Sequence, residues 1–104
     1  MNICTFTGYL TDDPEISVVG DVVLAEFTVA VHSYRRTKST GEKSRSTTYV
    51  RCQAWHTGAE TIERFALAGT KITINASARN DHHNRDRMVF RVNEFDLCNT
   101  GNEE

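Results

Sequence analysis

From Val23 onward the chain alternates apolar and mixed positions over ten residues, with Val23, Ala25, Phe27, Val29 and Val31 on one side and Leu24, Glu26, Thr28, Ala30 and His32 on the other. A period of two marks a strand with one buried face. The pattern recurs along most of the sequence. A first strand is expected over roughly residues 2–10, where Cys4, Phe6, Gly8 and Leu10 alternate with Ile3, Thr5, Thr7 and Tyr9. Thr11-Asp12-Asp13-Pro14-Glu15 breaks it, because Pro14 cannot donate to a ladder and Asp favours turns. Gly20-Asp21 is the next turn and closes a hairpin into the second strand. The third strand covers about residues 47–56, with Thr48, Val50, Cys52 and Ala54 facing the core. Thr57-Gly58-Ala59-Glu60 has the T-x-x-E form of a capping box, followed by an apolar stripe of Ala59, Ile62, Phe65 and Ala66 and a stop at Gly69, which predicts one short helix. A fourth strand follows, with Ile72, Ile74, Ala76 and Ala78 inward and Lys71, Thr73, Asn75, Ser77 and Arg79 outward. Asn80 to Asp86 form a polar turn, and the fifth strand begins near Arg87 with Met88, Phe90 and Val92 on one face. Its apolar phase then shifts to Phe95 and Leu97, so a bulge is expected near Asn93.

Five strands with one helix between the third and fourth are the element order of the OB-fold, a Greek-key barrel that binds oligonucleotides on one face. The order alone also suits other small all-β barrels. A chain of 104 residues holds one domain, expected over residues 1–98, with 99–104 as a short disordered C-terminus. No apolar run approaches the length of a membrane span, and the N-terminus lacks the charge and apolar pattern of a secretory signal. Cys4, Cys52 and Cys98 are odd in number and widely spaced, which fits reduced thiols in a cytosol and neither a disulfide framework nor a zinc knuckle.

The outward face of the third strand carries Tyr49, Arg51, Gln53 and Trp55. A core face would not hold Arg and Gln, and an ordinary solvent face rarely holds Tyr and Trp together. The charge distribution points the same way. The net charge of −2 argues against a nucleic-acid partner, but between Phe27 and Ala59 six cations (Arg35, Arg36, Lys38, Lys43, Arg45, Arg51) stand against Glu42 alone. That stretch is a basic arm on an acidic body. A solvated loop is the plainer account of the same charges.

Several segments resemble the bacterial and phage single-stranded DNA-binding protein family. Gly8-Tyr9-Leu10-Thr11-Asp12-Asp13-Pro14-Glu15 looks like its G-x-L-x-x-D-P-E, and Phe27-Thr28-Val29-Ala30-Val31 is similar to its second strand. Thr40-Gly41-Glu42 falls where its long hairpin turns, and Tyr49-Val50-Arg51 resembles its aromatic-His-Arg-Val segment. Ala59-Glu60, Phe65, Gly69 and Lys71-Ile72 match its helix and fourth strand. The resemblance runs over about residues 1–97. It implies four DNA-stacking positions at Tyr34, Tyr49, Trp55 and His83, and a tetrameric assembly through strand one, with a dimer as the alternative. Single-stranded DNA is the implied partner, with replication proteins beyond it. His56-Thr57-Gly58 stands where the family has Gly-Lys-x, and Asn75-Ala76 where it has Glu-Gly. The family's acidic-tipped tail has no counterpart, since only Glu103-Glu104 is acidic at the end of this sequence. Recruitment through a tail is therefore not expected, and a phage or accessory origin would explain such a difference from the family.

The expectation is sequence-independent binding and protection of single-stranded DNA in replication, recombination or repair, in a bacterial cytosol or nucleoid. Rings stack on any base, and Arg35, Arg36, Lys38, Lys43, Arg45, Arg51 and Arg79 are the candidate phosphate contacts. No cofactor and no catalysis are expected. His82-His83 near Asp81 and Asp86 suits a turn better than a metal site, because adjacent residues seldom converge on one ion. Asp12, Asp13 and Glu15 suit turn and capping roles around Pro14 better than a nuclease centre, with no general base beside them in sequence. Two other readings share the fold: a dimeric adaptor of the primosomal replication protein N type, and an RNA-binding OB module.

Overall fold

The computed structural model describes residues 1–98, so the expected disordered C-terminus lies outside the described residues. Seven elements follow in the order β1 (Cys4–Leu10), β2 (Glu15–Val19), β3 (Val22–Arg36), β4 (Lys43–Trp55), α1 (Thr57–Phe65), β5 (Lys71–Asn80) and β6 (Met88–Leu97). Five of the strands close on themselves. β1 pairs with β5 from Cys4↔Ala76 to Tyr9↔Lys71, and turns to meet β3 at Tyr9↔Ala30 and Leu10↔Val29. β3 pairs with β4, β5 with β6, and a short parallel contact, Cys52↔Phe90 and Gln53↔Arg91, joins β4 to β6. The result is a mixed barrel with one helix between β4 and β5, the OB architecture expected from the element order. β2 stands outside the closed ring. It pairs only with β3, through the expected turn at Gly20, whose φ of 63° suits glycine.

The barrel is filled by the faces that alternation predicts. Ala25, Phe27 and Val29 of β3, Val50, Cys52 and Ala54 of β4, and Ile72, Ile74 and Ala76 of β5 are buried. Thr48 is a correction: it is exposed, because β4 has by then left the barrel and become one arm of a long hairpin. β3 and β4 are correspondingly longer than alternation suggests, pairing out to Arg36↔Lys43. The bulge arrives where the phase shift places it. Ala76 pairs with Val92 but Asn75 pairs with Glu94, so Asn93 is the extra residue, and Phe95 and Leu97 return to the core side. Cys52 is buried, which pushes its thiol up to about 12 and leaves it protonated at neutral pH.

The helix is where local signals and structure part. Ala59, Ile62 and Ala66 are buried as the stripe requires, but Phe65 is exposed. The capping box does not form. Thr57 is already helical, the N-cap is His56, and no side chain caps the helix. His56 has φ 64° and ψ −133°, a backbone conformation ordinarily reserved for glycine. This is the position where the resembling family carries Gly. His56→Gly is therefore expected to stabilise the domain by about 1 kcal/mol, the relief of strain outweighing glycine's entropy cost. A denaturant melt that moved to lower midpoint would contradict the strain. Gly69, with φ 87°, turns the connection after the helix and donates to the Leu10 carbonyl oxygen at 2.8 Å. Asp13 accepts from the Ala68 N–H at 2.8 Å, tying the turn around Pro14 to the same connection. The acidic segment thus ties two connections together and caps no helix end.

Candidate nucleic-acid interface

Register places the candidate rings along one continuous surface. On β4, Tyr49, Arg51, Gln53 and Trp55 alternate with the buried Val50, Cys52 and Ala54, so they share the outer face. Across the ladder they meet Ala30, Thr28, Glu26 and Leu24 of β3. The same parity continues up the hairpin to Tyr34 opposite Arg45 and Arg36 opposite Lys43. Tyr49 and Tyr34 are 67% and 71% exposed, which rules out core roles for both. Trp55 is half-buried, opposite the buried Leu24. Trp55 is six positions beyond Tyr49, about 20 Å of strand, and Tyr34 lies about 13 Å from Tyr49 on the other side.

At the Trp55 end the surface deepens into a groove of about 860 Å³. Its walls bring together Arg51, Trp55, Arg79 and His83 of the expected site residues. Leu24 and Val89, buried apolar residues on otherwise polar faces, line the same groove. Arg91 and Asn80 also line it and were not among the expected contacts. Arg91 alternates with Phe90 and Val92 on β6, so its outward side was legible, but the parallel neighbour that brings it beside Gln53 was not.

Two polar contacts organise the groove. Arg51 Nη1 lies 3.3 Å from Asp81 Oδ2, anchoring the start of the β5–β6 turn to β4. Asp81 Oδ1 also accepts the His83 N–H at 3.1 Å. That backbone hydrogen bond, with the help of Arg51, holds the Asp81 carboxyl below its ordinary range. The His82 and His83 rings meet edge to face at 5.1 Å. Beside them, Gln53 Nε2 donates to Glu26 Oε2 at 3.2 Å.

The remaining candidates lie away from the groove. Tyr34, Arg35, Arg36 and Lys43 line a separate hollow of about 420 Å³ toward the hairpin tip. Arg45 is exposed opposite Tyr34, and Lys38 is exposed in the turn that the Thr37 N–H closes onto the Glu42 carbonyl oxygen at 2.9 Å. The structure thus separates the expected site into a groove at the barrel and a cationic arm, joined by Tyr49. Among the described residues no group of His, Cys, Asp and Glu side chains is arranged to hold a metal ion, and no helix is long and apolar enough to cross a membrane.

Solved structures share this architecture. The second single-stranded DNA-binding protein of Mycobacterium smegmatis superposes with a TM-score of 0.76 at 18% identity, over 93% of this chain and 88% of that one. The small single-stranded DNA-binding protein of Streptomyces coelicolor gives 0.76 at 12% identity, over 93% and 94%. A deletion mutant of the single-stranded DNA-binding protein from Thermus aquaticus gives 0.80 at 16% identity, over 97% of this chain but only 52% of that one. No curated protein matches the chain. At these identities the likeness establishes the OB barrel. The sequence itself matches the single-strand binding protein family over residues 1–95, nearly its whole length, and the chain belongs to that family.

Proposed function

We propose that the chain binds and protects single-stranded DNA by laying it along the outer face of β3 and β4, from the Trp55 groove to the cationic hairpin. Family membership implies single-stranded DNA binding by a protein that is not an enzyme. The observation that carries the site is the run of rings, the half-buried Trp55 and the exposed Tyr49 and Tyr34, interleaved with Arg51 and Arg45 on one face. Single strands expose base faces that a duplex hides, and a flat ring stacks on any of them. His83 adds a smaller ring over the groove. Arg51, Arg79 and the arm residues Arg35, Arg36, Lys38, Lys43 and Arg45 supply the charge that draws the phosphates. The setting is replication, recombination or repair in a cytosol, where its thiols stay reduced.

The chain has one tryptophan, so its fluorescence reports from the groove itself. Titration with oligo(dT) is expected to quench it. The logarithm of affinity should fall with the logarithm of salt at a slope of about −0.7 for each phosphate neutralised. Neutralising Arg35 and Lys38 together is expected to flatten that slope by up to about 1.4 while leaving the quench in place. Absence of quenching at low salt would remove the proposal.

We also propose a tetramer assembled through β1. Its Cys4–Gly8 stretch pairs with β5 on one side only, and Ile3 and Tyr9 beside it are exposed. Sedimentation across a concentration series measures this directly, and a persistent monomer would remove it.

A further inference from the structure

The groove holds an anionic element that phosphate binding does not account for. Glu26 sits on the outer face of β3, flanked in register by Glu15 on β2 and by Gln53 on β4. Arg51–Asp81 is the one ion pair among the described residues, so the half-buried Glu26 has Gln53 and no cation as its partner. A carboxylate only accepts hydrogen bonds, so the Gln53 amide must turn its nitrogen toward Glu26. The free end of that amide is then its carbonyl oxygen. What the β3 side of this groove offers a ligand is acceptors, Glu26 and the Gln53 Oε1 atom, with Arg91 beyond Gln53 on β6. The Glu26 carboxylate repels phosphate, yet it lines the same groove as Trp55.

Trp55 is two residues beyond Gln53 on the same face, about 7 Å away. A base stacked on Trp55 therefore reaches the Glu26–Gln53 pair with its edge. The two pyrimidines stack alike but differ there. Cytosine presents an exocyclic amino donor, which Glu accepts from; thymine carries a carbonyl oxygen at the same position, which would face the carboxylate. Open-groove single-strand binders ordinarily derive weak base preferences from stacking and backbone flexibility. Here hydrogen-bond chemistry would set one.

Resting on the single-stranded DNA reading above, we propose that the Trp55 subsite selects cytosine over thymine, with Glu26 as the specificity-determining residue. Tyr49 and Tyr34 have no such acceptors opposite them, facing Ala30 and Arg45 across the ladder, and remain indifferent to the base.

The test titrates the protein with short oligo(dC) and oligo(dT) of equal length at one salt concentration and mildly alkaline pH, following Trp55 quenching. Oligo(dC) is expected to bind at least about fivefold tighter, the low end of what a good base-edge contact discriminates. In Glu26→Gln the ratio should fall toward one, and oligo(dT) affinity should rise as the carboxylate's repulsion is lost. Quenching by both with equal affinity overturns the selectivity and leaves single-stranded binding standing. A wild-type preference that persists unchanged in Glu26→Gln removes the assignment to Glu26. If neither oligonucleotide quenches, the binding reading itself fails and takes the selectivity with it.

Discussion

Trp55→Ala is expected to weaken oligo(dT) binding by roughly 5- to 150-fold, corresponding to the about 1–3 kcal/mol that one base–aromatic stack contributes. The effect should be the largest of any single ring, because Trp55 alone among them lines the groove with a buried apolar partner, Leu24, opposite it across the ladder. Tyr49 and Tyr34 stack from open strand and should each cost less. The variant has no tryptophan left, so binding must be read by anisotropy of a labelled oligonucleotide. Part of the side chain is buried, and some loss of stability is expected as well. Trp55→Phe separates the two effects: it keeps a ring to stack and should recover most of the affinity. If Trp55→Ala binds as tightly as the parent while remaining folded, the groove is not where DNA lies.

Gly8→Ala should destabilise the barrel by about 3 kcal/mol or more, the upper end of what overpacking costs. A Cβ on residue 8 would stand 2.2 Å from the Ala30 carbonyl oxygen and 2.9 Å from its carbonyl carbon, with Val29 Cγ1 at 2.8 Å. Two of these three atoms are backbone, so no rotamer change makes room. The only relief is to move β1 off β3, which breaks the Tyr9↔Ala30 and Leu10↔Val29 pairing that closes the barrel. The melting temperature should fall by more than about 10 °C. A circular-dichroism melt that does not shift would mean the seam can open without cost. Gly8 has nothing unusual in its φ; it is required by the closeness of two strands and not by a turn.

The two substitutions act on different levels of the molecule. Trp55 decorates a surface that the barrel would form without it, whereas Gly8 is part of how the barrel closes. The first variant should lose affinity with a modest stability change. The second should lose stability while whatever remains folded at low temperature keeps its DNA affinity. Together they separate the binding face from the scaffold that presents it.

Alternation alone determined the main buried side of β3, β4 and β5, because successive residues of a pleated strand point to opposite faces: Ala25, Phe27, Val29, Val50, Cys52, Ala54, Ile72, Ile74 and Ala76 all lie inside. It also determined the outward set on β4 and, through the broken phase after Val92, the bulge at Asn93. Those are properties of neighbours along one chain. What neighbours cannot encode is which strands come together. Arg91 entered the groove through a parallel contact between β4 and β6, and Glu26 met Gln53 only once β3 and β4 had zipped in one register. The capping box failed for the same reason. Thr57 and Glu60 have the right spacing, but the chain enters the helix through His56, in a glycine conformation with its N–H bonded to the Val23 carbonyl oxygen of β3, and no side chain caps the helix. Local pattern sets the faces; barrel closure, which depends on contacts between residues far apart in sequence, sets where those faces meet.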